Sequence, residues 1–342
     1  MLTSEIYPPV IDLTPFCDGS SDSALLSKDE VALQLRSACR EVGFFQVKTP
    51  SLSQALITDA FDATRALFDL PLEVKETASA FRSPLFRGYQ GITSDSHSCT
   101  PDERATGTQG RLEMKRRDLK ESFSIGALGT DSPMHGDNNW PVHDSMAEIV
   151  LKLQAYWDVI YEVALQVSRC LALSLGLVED FFTTNMTNPV AQMVLLRYPP
   201  PLVGADGVPL QPGCGAHTDC GFLTLLVQDK QLDALQIQNN DGCWVDAAQI
   251  DGHVLCNLGD MAERWSNNYY KSTWHRVQNL SGRQRHSIPF FCNLNFDTVV
   301  DPRTSVCQGK IRLLRVIWVT RVIRSSFTAL TSPPWSLREY EI

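Results

Sequence analysis

Residues 215–227 read Gly215-Ala216-His217-Thr218-Asp219-Cys220-Gly221-Phe222-Leu223-Thr224-Leu225-Leu226-Val227. The second half is an apolar run that follows a glycine, as a buried strand would. The first half sets His217 and Asp219 two positions apart. On an extended segment such residues point to the same side, so an imidazole and a carboxylate can reach one ion. A third donor must come from another strand, and Tyr269-Tyr270-Lys271-Ser272-Thr273-Trp274-His275-Arg276-Val277 offers His275. Two imidazoles and one carboxylate fill one face of an octahedron and leave three positions open. That suits iron(II), which must hold both a bidentate co-substrate and dioxygen. Taken alone, the same residues also fit a hydrogen-bonded pair in a turn and a satisfied strand histidine.

Further along stands Arg285-His286-Ser287-Ile288-Pro289-Phe290-Phe291. A guanidinium forks onto a carboxylate with two parallel hydrogen bonds, and Ser287, on the same strand face, can add a third. The distal carboxylate of 2-oxoglutarate needs such a clamp, and Tyr198 can donate its phenol to the same group. A surface strand arginine is the plainer alternative for Arg285. His286 is expected on the opposite face, without a role. Phe291 shares the Ser287 face and faces either substrate or core. His253 is expected to be structural, and His97, His135 and His143 solvated. Cys214 and Cys220 flank the metal motif at a spacing that matches no zinc pattern, so they are read as packing residues.

Outward from the motif, short β-branched and aromatic runs recur at 192–198, 222–228, 234–238, 253–258, 272–278 and 286–294, separated by Gly, Asn and Asp. Such intervals predict a sandwich or barrel. The first half has the helical period instead. Ser27-Lys28-Asp29-Glu30 has capping-box spacing, followed by Val31, Leu35 and Ala38 on one face. Gly43 is placed to end that helix, and Phe44-Phe45-Gln46-Val47 reads as a first buried strand. Further helices are expected over 52–68 and 144–175, the latter ending at Gly176. Residues 92–118 are polar without an apolar period and predict a long surface loop. The expected fold is therefore α+β, a double-stranded β-helix (a jelly-roll, cupin-like barrel) on a helical N-terminal scaffold. The scaffold with the first strands is assigned to 1–190, the jelly-roll core to 191–302 and an atypical tail to 303–342.

With 43% hydrophobic residues the chain can bury a large core, and its net charge of -9 argues against nucleic acid or an anionic membrane as partner. No basic start followed by an apolar run and a cleavage site opens the sequence, and the apolar stretch 146–177 carries too many charges to span a bilayer. Ten cysteines lie scattered without a regular framework. They read as reduced thiols, and a cytoplasmic location is expected.

Several further segments occur in order: Pro9-Val10-Ile11-Asp12-Leu13, Ala38-Cys39-Arg40-Glu41-Val42-Gly43-Phe44-Phe45, Arg87-Gly88-Tyr89, Lys120-Glu121-Ser122-Phe123 and Gly242-Cys243-Trp244-Val245. The block Asn257-Leu258-Gly259-Asp260-Met261-Ala262-Glu263-Arg264-Trp265-Ser266-Asn267 follows. With the ligand motif, they make the chain resemble the isopenicillin N synthase-like family of iron(II)/2-oxoglutarate oxygenases from about residue 7 to about residue 302. The resemblance implies a distorted jelly roll, with His217, Asp219 and His275 on iron and Arg285 and Ser287 on the oxoacid. It also implies oxidative decarboxylation of 2-oxoglutarate to succinate and carbon dioxide, coupled to oxidation of a substrate C–H bond by dioxygen. Ascorbate is an expected supporting reductant.

Two departures stand out. Many relatives carry asparagine where this chain has Leu196, which weakens one co-substrate contact. After Asp301-Pro302 the family ending is not recognisable, and the basic, apolar stretch 311–324 fits neither a helical nor a strand period. The tail is expected to be less ordered than the barrel and to contribute no metal or co-substrate ligand. The leading expectation is an enzyme that hydroxylates, desaturates or cyclises a small organic molecule, in specialised metabolism. The alternatives are an oxoacid-independent iron oxidase of the same fold, a catalytically silent ligand-binding barrel and, more remotely, a zinc hydrolase.

Overall fold

The first helix begins where the capping box predicts. Ser27 Oγ accepts the Glu30 N–H, and the Glu30 carboxylate accepts the Ser27 N–H at 2.8 Å. Helix α1 (Lys28–Glu41) then buries Val31, Leu35, Ala38 and Cys39. It stops at Gly43, whose φ of 73° and position 2.5 Å from the Lys271 carbonyl (measured from an added Cβ) admit only glycine. A computed structural model describes residues 8–17, 26–92, 118–201, 212–229 and 234–302 of the chain. Most of the loop expected at 92–118, His97 within it, and the tail at 303–342 lie outside the described residues.

Helices α2 (Gln54–Phe68), α3 (Leu72–Thr77) and α4 (Met146–Ser174) complete the scaffold, with α4 packed on α1 and α2. Among the described residues the rest of the regular structure is strands, one further short α-helix and three single 3-10 turns. Strands β1 (Val10–Asp12), β2 (Phe44–Lys48), β3 (Gly88–Gln90), β4 (Glu121–Gly126) and β5 (Pro189–Tyr198) precede the ligand motif. Then come β6 (Cys214–His217), β7 (Leu223–Gln228), β8 (Leu235–Gln238), β9 (Trp244–Asp246) and β10 (Val254–Leu258). Helix α5 (Asp260–Trp265), β11 (His275–Val277) and β12 (Arg285–Asn295) follow. An eight-stranded sheet runs β1-β2-β10-β7-β12-β5-β4-β3, and a four-stranded sheet runs β6-β11-β8-β9. Every pairing is antiparallel except β1 with β2.

Two apolar clusters explain this layering. One joins the outer face of the large sheet to the helices and includes Ile288, Phe290 and Cys292 of β12. The Phe290 ring meets Trp157 of α4 edge-on, with centroids 4.9 Å apart. The second lies between the sheets and gathers Phe44, Tyr198, Cys214, Leu235, Ile237, Leu255 and Val277. The large sheet is therefore covered by helices on one side and encloses a lumen with the small sheet on the other, a double-stranded β-helix.

Each of the six strand runs expected after residue 190 contains a strand. The run at 272–278 shortens to β11 because Ser272 is drawn to α5, its N–H bonded to Glu263. Among the described residues no helix is long and apolar enough to cross a membrane.

Candidate metal and co-substrate site

Strand β6 is an edge of the small sheet and pairs with β11 so that His217 stands directly opposite His275. Between His217 and Cys214 the register slips by one residue, a bulge of the kind that re-aims side chains. Asp219 follows just past the end of β6. The donor atoms of His217, Asp219 and His275 converge within 4.8 Å of one another. Asp219 Oδ1 lies 3.7 Å from His217 Nε2 and 3.6 Å from His275 Nε2.

The surroundings leave one lone pair on each donor free. His217 Nδ1 donates to the Gly215 carbonyl at 2.8 Å, and His275 Nδ1 to that of Thr273 at 3.1 Å. Both rings are thus fixed in the tautomer that presents a bare Nε2. The second oxygen of Asp219 accepts from Thr224 Oγ1 at 2.6 Å and Asn257 Nδ2 at 2.7 Å, which turns Oδ1 inward. Burial works against the Asp219 carboxylate, yet His275, His217 and these two hydrogen bonds hold its pKa below the ordinary value. Burial and the neighbouring His217 push the His275 pKa down to about 4, against the pull of Asp219, so its imidazole is neutral at neutral pH. A buried carboxylate beside two imidazoles whose Nδ1 protons are both held by backbone carbonyls is a donor set that fits a divalent transition metal.

The block around Asn257 explains itself here. Asn257 holds the Asp219 carboxylate, and the Asp260 N–H donates to the Asp219 carbonyl at 2.7 Å. An added Cβ on Gly259 would collide with the Gly221 carbonyl oxygen. The ligand-bearing turn is therefore clasped by the start of α5.

Arg285, Ser287 and Tyr198 also come together in the lumen. Arg285 is fully buried, its Nη1 3.4 Å from Ser287 Oγ and its guanidinium carbon 4.9 Å from the Tyr198 ring centre. The Tyr198 hydroxyl bonds into the same group. Among the described residues Arg285 Nε has no hydrogen-bond partner. The acidic side chain it feels, Asp229, is already bonded to His286 and Arg65. Burial accordingly lowers the Arg285 pKa from the usual guanidinium value. A buried cation without a carboxylate of its own is costly to leave uncompensated, and an incoming carboxylate completes it.

Residues that sequence reasoning missed sit around both centres. Gln228 accepts from Arg285 Nη2 at 2.6 Å and lies opposite Ser287 on β7. Leu196 faces Ser287 from the other neighbour, β5, so the polar support lost at 196 is met across the strand by Gln228. Thr224, Asn257 and Gln228 were invisible because their roles depend on strand register. His286 turns away from the lumen as expected, but it is not idle: its N–H and Nδ1 both bond Asp229. His135 is a correction. It is half-buried, with Nε2 3.0 Å from the Pro189 carbonyl, because the chain before α4 folds back on β5. His143 is exposed, and His253 bonds the Asp251 carbonyl. Cys214 is buried 3.2 Å from Lys120 Nζ, and Cys220 is exposed. Phe291 is the half-buried member of β12 on the Ser287 face, paired with Gln192.

Known proteins carry the same architecture. Residues 190–294 match the model of the 2OG-Fe(II) oxygenase superfamily, and residues 8–143 that of the non-haem dioxygenase in morphine synthesis N-terminal region. The chain is 35% identical over 301 residues to homoarginine-6-hydroxylase 2-ODD-233 of Oryza sativa subsp. japonica, covering 86% of this chain and 88% of that protein. It is 35% identical over 315 residues to the 2-oxoglutarate-Fe(II) type oxidoreductase hxnY of Emericella nidulans, covering 88% and 84%. The crystal structure of a full-length Neurospora crassa protein in complex with alpha-KG superimposes with a TM-score of 0.75 at 27% identity, covering 92% of this chain and 94% of that one. With ancestry, barrel and donor set in agreement, the chain belongs to the 2OG-Fe(II) oxygenase superfamily and is an iron(II)- and 2-oxoglutarate-dependent dioxygenase acting on a small molecule.

Proposed function

We propose that His217, Asp219 and His275 hold the iron(II), and that Arg285, Ser287 and Tyr198 hold the distal carboxylate of 2-oxoglutarate. The single observation that carries this assignment is the free lone pair on each converging donor, every other polar atom of the three side chains being bonded elsewhere. Bound iron(II) supplies the redox chemistry by which dioxygen and 2-oxoglutarate yield succinate and carbon dioxide as a substrate C–H bond is oxidised. The protein's own part is geometric. Gly215 and Thr273 hold the imidazole protons on Nδ1, Thr224 and Asn257 hold the carboxylate, and Gln228 holds the guanidinium that fixes the oxoacid. Leu196, Leu226, Phe44 and Leu255 line the lumen with apolar surface and limit water there.

The substrate is proposed to lie against β5 and β12, where Gln192, Val194 and Phe291 are half-buried between fully buried neighbours on a sheet otherwise closed by helices. Hydroxylation, desaturation and ring formation all suit such a site. Residues 1–190 would support it and 191–302 carry it. A cytosolic setting is favoured by the eight described cysteines, all free thiols.

The test is succinate formation from 2-oxoglutarate with iron(II) and ascorbate across a small-molecule library. Changing His217, Asp219 or His275 to alanine is expected to abolish turnover while the fold survives. Arg285→Leu is expected to raise the 2-oxoglutarate requirement steeply, by the roughly 2–5 kcal/mol typical of breaking a buried charge pair, with metal affinity nearly intact. Full activity in His275→Ala would remove that residue from the site.

A further inference from the structure

Among the described residues the strand that carries His217 is an edge strand, bulged, with β11 on one side only. Its outward backbone groups need partners from elsewhere, since a buried N–H left unpaired is costly. That partner is Asp118, ninety-seven residues earlier in the chain. Its Oδ1 accepts the Gly215 N–H at 3.0 Å, and its side chain is buried. The other oxygen lies 3.1 Å from Lys120 Nζ, which offsets the buried charge. The adjacent Leu119 N–H donates to the Pro212 carbonyl at 2.9 Å, so residues 118–120 line the open side of β6.

Gly215 thus has both backbone groups committed. Its N–H is held by Asp118, and its carbonyl accepts the Nδ1 proton of His217 at 2.8 Å. A glycine has no side chain to restrain its own peptide planes, so an external anchor decides where that carbonyl points. His275 is held by a different carbonyl, that of Thr273, which Asp118 does not touch, and the strand that carries it is paired on both sides, by β6 and β8.

We propose that Asp118 is a positioning residue for His217: by pinning Gly215 on the open edge of β6 it sets the tautomer and angle of one metal ligand and leaves the other alone. This rests on the assignment of His217 to the metal. Outer groups that orient a metal-bound histidine are typically worth about 10–100-fold in affinity.

The experiment uses the full-length protein loaded with cobalt(II). Asp118→Ala should weaken cobalt(II) binding about tenfold or more. Of the two paramagnetically shifted imidazole N–H proton signals, from His217 and His275, one should broaden through exchange with water while the other stays sharp. Asp118→Asn, which keeps an oxygen at the same place, should restore both affinity and signal. If the alanine variant does not fold, Asp118→Glu takes its place. It keeps the charge beside Lys120 but displaces the oxygen, and the same selective loss is expected. Wild-type cobalt(II) affinity with two sharp signals would overturn the proposal, as would equal broadening of both, which marks a general support of the fold. Unchanged cobalt(II) binding in His217→Ala would instead strike down the metal assignment itself, so the two failures are separable.

Discussion

At the scale of single residues, the site depends on what holds its ligands as much as on the ligands. Thr224 and Asn257 share one oxygen of Asp219 and so decide which oxygen is left for the proposed metal. Thr224→Val and Asn257→Ala should each weaken iron(II) binding by about 10–100-fold without removing any ligand, measurable by metal titration of the purified variants. A second residue-scale prediction concerns Asp229, which binds His286 through two bonds and Arg65 through a third. Burial raises its pKa, but these contacts outweigh burial and hold it below the ordinary 3.8. A folded-state value below the unfolded one stabilises the protein above the unfolded pKa, and that stability is lost as pH falls through the folded value. Asp229→Asn should therefore cost about 1–3 kcal/mol in urea unfolding at neutral pH. The gap between wild type and variant should narrow once the pH drops below 3.8.

At the scale of elements, legibility followed periodicity. Helix α1 was plain because its capping box and apolar face coincide, and Ser27→Ala should lower stability by about 1 kcal/mol in the same denaturation assay. Strand β6 was not legible as a strand. Its four residues, Cys214-Gly215-Ala216-His217, include no β-branched or large aromatic side chain, and it is a strand only because β11 pairs with it. Helices α3 and α5, six residues each, are too short to display a helical period. The His217–Asp219 pair and the Arg285–Ser287 pair could be proposed from the sequence because i, i+2 geometry is local, whereas His275 joins them only through the pairing of β11 with β6. Gln228 and Asn257 belong to the site through pairings of β7 with β12 and of β10 with β7, which no spacing along the chain encodes.

At the scale of the whole molecule, β12 is where scaffold and chemistry meet. Ile288, Phe290, Cys292 and Leu294 face the helical layer, whereas Arg285, Ser287 and Phe291 face the lumen. Phe290→Ala should remove the edge-on contact with Trp157 and cost roughly 3–5 kcal/mol of stability. The surviving folded fraction should keep its 2-oxoglutarate KM, because the clamp is on the other face. A melting curve read beside a KM measurement separates the two. The alternation on β12 also constrains how this enzyme can diversify. With substrate against Phe291 as proposed, substitutions at 291 should alter substrate scope at small cost to stability, and those at 288, 290 or 292 should do the reverse. Loss or gain of one residue in the strand has no such middle course, since it would send the guanidinium into the hydrocarbon layer and a phenyl ring into the proposed oxoacid site. Lineages of this protein, natural or bred in the laboratory, can therefore acquire new substrates through exchange of side chains on β12 and not through changes in its length.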